Sequence, residues 1–166
     1  MIEVTLETIQ MSLVSANRIV VLKEVEAERY LPIWIGPCEA ESISVCVNGI
    51  KTPRPLTHDL AIQIIDVLGA VLSYIYINDL IDTTFHARVV LNLNGEELEV
   101  DSRSSDAIAL AVRVDAPIFV AEHVMDAAGV VPEHDIDLDK QMPGETLEVF
   151  RDFLESLDDN DETLNS

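Results

Sequence analysis

The stretch LEVDSRSSDAIALAVRVDAPIFVA, residues 98–121, decides the fold of this chain. Leu98 and Val100 alternate with acidic residues, which is the period of a strand with one buried face. The polar corner that follows cannot continue this alternation. Either Ser104 or Ser105 can instead cap a helix by accepting a hydrogen bond from a free backbone N–H group. The corner therefore predicts a turn from a strand directly into a helix.

The helix after this corner is apolar on most of its surface, which predicts that it is buried. Ile108, Ala111 and Val112 form one apolar stripe at helical spacing, and a second stripe lies beside it. A residue that precedes proline is disfavoured in the helical conformation, so Pro117 predicts the end of the helix. The apolar residues 118–120 then predict a short buried strand.

The rest of the chain predicts the same order of elements twice, three strands followed by a helix. The predicted elements are strands at 4–11, 18–25 and 29–35 with a helix from about Cys38, then strands at 71–77, 83–91 and 96–101 with the helix at Ser105. An additional helix, with Thr57 as its expected N-cap, separates the two sets.

The two sets are aligned by a constant shift along the chain. The shift that places Glu41 on Asp106 also places Ile43 on Ile108, so polarity and element order match although the residues differ. We therefore predict an α+β fold of two related strand-strand-strand-helix halves, whose strands form mixed or antiparallel sheets with helices packed on them.

The chain is predicted to contain one domain and an acidic C-terminal extension. Residues 1–132 hold the repeated elements, which is a suitable length for a single core. Residues 133–157 read as an acidic connector and an amphipathic helix that packs on the domain or on a partner. Residues 158–166 read as a disordered acidic tail.

The net charge of −21 is the main objection to a nucleic-acid substrate. Twelve acidic and two basic residues lie between Glu133 and Ser166, so the preceding part of the chain carries the remaining −11. This field repels nucleic acid unless a local basic patch or bound divalent cations reverse it.

Composition also bounds the location and the cofactors. No apolar run is long enough to cross a bilayer, and the N-terminus lacks the pattern of a signal peptide. We therefore expect a cytoplasmic protein with no membrane partner. The sequence contains neither a GxGxxG motif nor a phosphate-binding loop, so we expect no organic cofactor.

Ten polar residues share a position at junctions between elements, where a scaffold holds side chains close to solvent. They form three groups: Glu39 and Glu41; Arg54, Thr57, His58 and Asp59; and Asp101, Arg103, Ser105 and Asp106.

Two interpretations of these groups remain open. In the first, the groups face one cleft and their carboxylates hold one or two Mg²⁺ or Mn²⁺ ions, which bridge to a phosphodiester and activate a water molecule. In the second, the acids complement helix dipoles, His58 bonds locally, and Arg103 belongs to a salt bridge at a helix end.

Three motifs in one order resemble the bifunctional nuclease family, formerly a domain of unknown function. The segments are LPIWIGPCEAESI, RPLTHDL and VDSRSSDAIALAVRVDAPIFVAE, followed by the helix FRDFLESL. The similarity covers residues 3–157. The family pattern commonly has proline between the arginine and the serine of the third motif, where this chain has Ser104. That departure makes the geometry of the corner an open point.

The resemblance implies hydrolysis of DNA or RNA, since some plant members of this family are described as having both activities. In this interpretation Glu41, Asp59, Asp101 and Asp106 are candidate metal ligands or general bases. The candidate catalytic residues are His58, Asp59, Asp106, Arg54 and Arg103, and the further candidates are Glu39, Thr57 and Ser105.

A non-catalytic module is the alternative. The acidic surface, the amphipathic segment within 133–157 and the lack of a recognised catalytic constellation also fit a homo-oligomeric, most simply dimeric, interaction or regulatory protein. In that case the polar junctions only cap helices.

Overall fold

The computed structural model of the chain describes residues 1–11 and 18–131. The predicted connector, C-terminal helix and tail, 133–157 and 158–166, lie outside the described residues. None of the helices in the described part has the length and hydropathy that crossing a bilayer requires.

Seven strands of the described residues form one mixed sheet. They are β1 (Ile2–Met11), β2 (Arg18–Glu24), β3 (Tyr30–Ile35), β4 (Ala70–Ile81), β5 (Thr84–Leu93), β6 (Glu96–Arg103) and β7 (Ile118–Val120). Their order is β3-β2-β1-β7-β4-β5-β6. The strands of each half pair antiparallel, whereas β7 is antiparallel to β1 and parallel to β4. A strand of the second half therefore joins both halves at the centre.

Four helices complete the described part of the chain: α1 (Pro37–Val47), α2 (Thr57–Val67), α3 (Ser104–Val114) and α4 (Glu122–Ala128). α1 and α3 pack against each other and against the sheet. The core between these layers includes Leu22, Ile33, Ile43, Ile75, Ile77, Ala107 and Ile108. The predicted α+β fold, with a strand-strand-strand-helix order in each half, is confirmed.

The starts of α1 and α3 correct the predicted alignment of the halves. Their N-caps, Gly36 and Arg103, have nearly identical dihedral angles, with φ of −68° and −67°. Glu39 and Asp106 therefore both occupy the third helical position, so Glu39 rather than Glu41 is the counterpart of Asp106. The predicted serine cap is also wrong, because Ser104 already lies inside α3 with no side-chain cap bond at its start.

The predicted buried face of β6 is likewise wrong. Leu98 is 38% exposed and Val100 is 47% exposed. Both pair with buried or half-buried residues of β5, so they point to the helix side of the sheet. However, β6 is an edge strand, and α3 packs mainly over β4 and β5. The alternation of apolar and acidic residues therefore predicted which face of the sheet Leu98 and Val100 lie on, but not how exposed they are.

A guanidinium group in α3 ties the three larger helices together. The Arg113 side chain is only 6% exposed. Its Nε donates to Asp59 Oδ1 in α2 at 2.6 Å, and its Nη2 donates to the Ser42 carbonyl in α1 at 3.2 Å. The backbone N–H of Leu56 donates to the other oxygen of Asp59 at 2.7 Å. Leu56, not Thr57, is therefore the N-cap residue of α2.

We expect Asp59→Asn to lower the free energy of unfolding by about 1–2 kcal/mol at pH 7, because the buried Arg113 charge loses its carboxylate. The hydrogen bond from Leu56 and the contact with Arg113 lower the pKa of Asp59 below its ordinary value of 3.8, against the effect of burial. A lowered pKa stabilises the fold above the unfolded-state value, and this stabilisation is lost as pH falls through the folded-state value. The difference between wild type and variant should therefore shrink below about pH 3.8.

Urea unfolding followed by circular dichroism at pH 7 and pH 3 measures this difference. Asp126→Asn is the matched control, because Asp126 forms an exposed pair with Arg29 and should change stability by less than about 1 kcal/mol. An equal loss in Asp59→Asn at both pH values would contradict an electrostatic role for Asp59.

Candidate active site

A surface cleft of about 490 Å³ opens where the starts of α1, α2 and α3 meet. All three predicted groups contribute to this region, although not with every member. The lining side chains that bear on chemistry are Glu39, Glu41, Ser42, His58, Arg103 and Asp106. Such a concave site with a few converging polar groups is the usual setting for ligand binding.

His58 is held from both sides of its ring. Ser42 Oγ lies 2.8 Å from His58 Nδ1, and Asp106 Oδ1 lies 3.0 Å from His58 Nε2. The three residues come from α1, α2 and α3, so helix packing alone brings them together. The His58 side chain is 13% exposed and that of Asp106 is 27% exposed. The carboxylate is therefore the more accessible member of this pair.

Arg103 bridges the two equivalent helix starts. Its Nε donates to Asp106 Oδ2 at 2.7 Å, and its Nη2 donates to Glu39 Oε1 at 2.7 Å. The Arg103 side chain is 68% exposed, whereas that of Glu39 is 15% exposed. The guanidinium therefore lies over the mouth of the cleft, with the two carboxylates beneath it.

Asp106 is ionised at neutral pH. Burial acts to raise its pKa, but the hydrogen bonds from Arg103 and His58 outweigh burial and hold the pKa below the ordinary value of 3.8. An ionised carboxylate is an acceptor only, which agrees with its two donor neighbours.

The remaining predicted residues are more dispersed. Asp101 pairs with Arg88 at 3.0 Å on the sheet face opposite the helices, because neighbouring Val100 and its partner point to the helix side. Asp59 is turned toward Arg113. Arg54 is exposed in the loop before α2, Thr57 lines the cleft at the first position of α2, and Ser105 is buried in α3.

Two residues of the site carried no recognised signal in the sequence. Ser42 lies one residue after Glu41 and looked like a polar position in a helix, but it is only 6% exposed and contacts His58. Arg113 lies in the last turn of α3 and is its buried connection to α1 and α2. A charged residue inside an otherwise apolar helix was the available signal for Arg113.

The cleft is lined by three carboxylates, those of Glu39, Glu41 and Asp106. No three histidine, cysteine or acidic side chains within residues 1–11 and 18–131 are arranged to hold a metal ion. Asp106 and Glu39 already accept from Arg103, while Glu41 is exposed and lines the same cleft. Mg²⁺ commonly uses one or two carboxylates together with substrate phosphates. Among these residues, Glu41 would be the one to hold such a cation.

Comparison with known proteins gives consistent matches. The bifunctional nuclease domain model matches residues 20–133, which include every cleft residue named above. An uncharacterized protein of Mycobacterium tuberculosis strain H37Rv is 39% identical over 145 residues, covering 86% of this chain and 87% of that protein.

More distant relatives come from rice species. Bifunctional nuclease 2 of Oryza sativa subsp. japonica is 28% identical over 107 residues, which cover 63% of this chain and 33% of that protein. The bifunctional nuclease of Oryza minuta is 25% identical over 111 residues, covering 65% and 34%. The domain match and the M. tuberculosis relative together confirm the resemblance seen in the motifs: the chain belongs to the bifunctional nuclease domain family.

Proposed function

We propose that this protein hydrolyses phosphodiester bonds of DNA or RNA in the cleft between α1, α2 and α3. The observation that carries the proposal is the contact of Asp106 with both Arg103 and His58, at an open cleft inside the matched family domain. A cation that can bind phosphate and a carboxylate that can accept a proton are thereby adjacent.

Arg103 is the proposed phosphate-binding residue. Its planar guanidinium can form two parallel hydrogen bonds to phosphate oxygens, and its high exposure allows it to turn toward a substrate. A phosphate group would then compete with Glu39 and Asp106 for the same donors. Before substrate binds, the two carboxylates neutralise the positive charge of Arg103. A bound phosphate would take over that role.

Asp106 is the proposed general base. While Arg103 donates to it, the pKa of Asp106 is lowered and the carboxylate is a weak base. When Arg103 turns to the phosphate, Asp106 loses that contact and becomes more basic. It can then take a proton from the water molecule that attacks phosphorus, while the bond to the leaving oxygen breaks and that oxygen receives a proton from solvent.

Glu41 is the proposed protein ligand of a divalent cation. It is exposed at the cleft, where it can hold Mg²⁺ or Mn²⁺ together with a substrate phosphate. A bound cation would neutralise charge developing on the phosphoryl oxygens. It would also reduce the repulsion between nucleic acid and a chain of net charge −21.

Substitutions at the cleft test the proposed chemistry. We expect Asp106→Asn to reduce kcat/KM about 100- to 10,000-fold, because the base is lost. Arg103→Ala should reduce it about 100- to 1,000-fold through loss of charge stabilisation. The measurement is cleavage of plasmid DNA and of single-stranded RNA, each followed by gel electrophoresis over time.

Asp126→Asn is again the matched control, since it removes an exposed carboxylate paired with an arginine outside the cleft. It should retain wild-type activity. Absence of cleavage by the wild-type protein on both substrates, in buffers containing Mg²⁺ or Mn²⁺, would overturn the proposed function.

The cation requirement has its own test. We expect EDTA to abolish cleavage and added Mg²⁺ or Mn²⁺ to restore it. Glu41→Gln should raise the cation concentration needed for half-maximal activity, because one anionic ligand is lost. Full activity in EDTA would contradict the cation, while leaving the roles of Asp106 and Arg103 to be judged by their own variants.

A second candidate function is a homo-oligomeric interaction module. The outer side of α2 carries an apolar stripe whose members are half or more exposed: Leu60, Ile64, Val67 and Leu68. The spacing of this stripe suits packing against an identical helix of a second copy, related by a twofold axis. This observation favours association whether or not the cleft is catalytic.

Light scattering after size exclusion measures the association. We expect the wild-type chain of 18.4 kDa to elute as a dimer, and the double variant Ile64→Lys with Val67→Lys as a monomer. Val25→Lys is the control, because Val25 is similarly exposed in the turn between β2 and β3. A monomeric wild type at about 100 μM would exclude stable pairing through α2.

A further inference from the structure

The Ser42 hydroxyl lies between a buried guanidinium and an imidazole ring. Arg113 Nη2 donates to Ser42 Oγ at 2.8 Å, and the same oxygen lies 2.8 Å from His58 Nδ1. Ser42 is only 6% exposed, so water has little access to this contact. The directions of these hydrogen bonds are therefore set by Arg113, Ser42 and His58 rather than by solvent.

The donors and acceptors around Ser42 Oγ favour one arrangement of its hydrogen bonds. A guanidinium is always a donor, so Ser42 Oγ accepts from Arg113. The serine hydroxyl has one proton to donate, and His58 Nδ1 is its remaining hydrogen-bond partner in the described structure. Ser42 Oγ has a second lone pair that could accept from a protonated Nδ1, but the hydroxyl proton would then have no acceptor in the described structure. Donation from the hydroxyl to an unprotonated Nδ1 satisfies both groups.

The opposite side of the ring agrees. Asp106 Oδ1 lies 3.0 Å from His58 Nε2, and a carboxylate can only accept. A proton on Nε2 satisfies this contact, and a proton on Nδ1 alone would leave it without a donor. We infer that Ser42 and Arg113 are positioning residues that keep Nδ1 of His58 as a hydrogen-bond acceptor and the ring proton on Nε2, so that His58 donates to Asp106.

This inference rests on the proposed function only for its catalytic consequence. His58 and Arg103 each bind one oxygen of Asp106. If Arg103 turns to a substrate phosphate, His58 alone keeps the carboxylate oriented toward the attacking water. Ser42 and Arg113 thus act on the reaction through His58 and do not touch the substrate.

The shape of the arginine side chain is essential to this role. The Arg113 side chain donates through all three of its nitrogens. Nε donates to Asp59, Nη1 donates to the Ala109 carbonyl at 2.6 Å, and Nη2 donates to Ser42. A lysine has one nitrogen and cannot make these contacts in the same directions. Arg113→Lys should therefore keep the charge while losing the fixed donation to Ser42.

Nitrogen-15 NMR of histidine-labelled protein tests the tautomer directly. Long-range proton–nitrogen correlations at pH 7.5 distinguish a protonated from an unprotonated ring nitrogen, and His58→Gln identifies the His58 signals. We expect wild-type His58 to carry its proton on Nε2 and none on Nδ1. A proton on Nδ1 alone, or protons on both nitrogens, would overturn the inference.

Variants of Ser42 test the cause. In Ser42→Ala the Nδ1 resonance should move downfield, because the hydroxyl donor is gone, and kcat/KM should fall about 10- to 100-fold. Ser42→Thr retains the hydroxyl and should return both readouts toward wild type. An unchanged Nδ1 resonance in Ser42→Ala would show that Ser42 does not donate to His58.

The two proposals fail separately. A wild-type protein that cleaves nucleic acid but has His58 in the other tautomer contradicts the positioning role alone. A wild-type protein with the expected tautomer and no cleavage contradicts the nuclease function alone. Thermal unfolding of Ser42→Ala and Ser42→Thr verifies that each compared variant is folded.

Discussion

The buried guanidinium of Arg113 is the constraint on which the helical layer depends. One side chain from α3 binds a carboxylate of α2 and both a carbonyl and a hydroxyl of α1. An arginine at 6% exposure is costly unless its donors are satisfied, so these three helices are restricted to positions in which its partners meet it. The cleft lies at the starts of the same three helices, so its shape depends on how these helices are positioned.

The site is a connected series of charged and polar groups rather than a set of independent side chains. Asp59, Arg113, Ser42, His58, Asp106, Arg103 and Glu39 follow one another through contacts of 2.6 to 3.0 Å. Exposure varies along this series, from 6% for the Arg113 side chain to 68% for that of Arg103. The exposed Arg103 guanidinium is therefore the member of this series that solvent reaches most readily.

Much of the fold followed from local patterns, whereas the contacts that connect the cleft residues did not. The strand, corner and helix of residues 98–121 were predictable from periodicity and from Pro117, and β7 was predicted with its observed bounds. The exposure of Leu98 was not predictable, because strand order is a property of the whole sheet. Junction positions singled out His58, Arg103 and Asp106, which the fold brings to one cleft. Ser42 was missed because its partners are distant in the chain and meet it only after the helices pack.

Because β7 lies between β1 and β4, the sheet is complete only after β7 has been synthesised. β1, at the N-terminus, pairs on one side with β7, which is separated from it by more than a hundred residues. During synthesis, one edge of β1 therefore stays unpaired until residues 118–120 leave the ribosome. A chain that stopped before Ile118 would leave the β7-facing edges of β1 and β4 unpaired, and unpaired sheet edges favour aggregation.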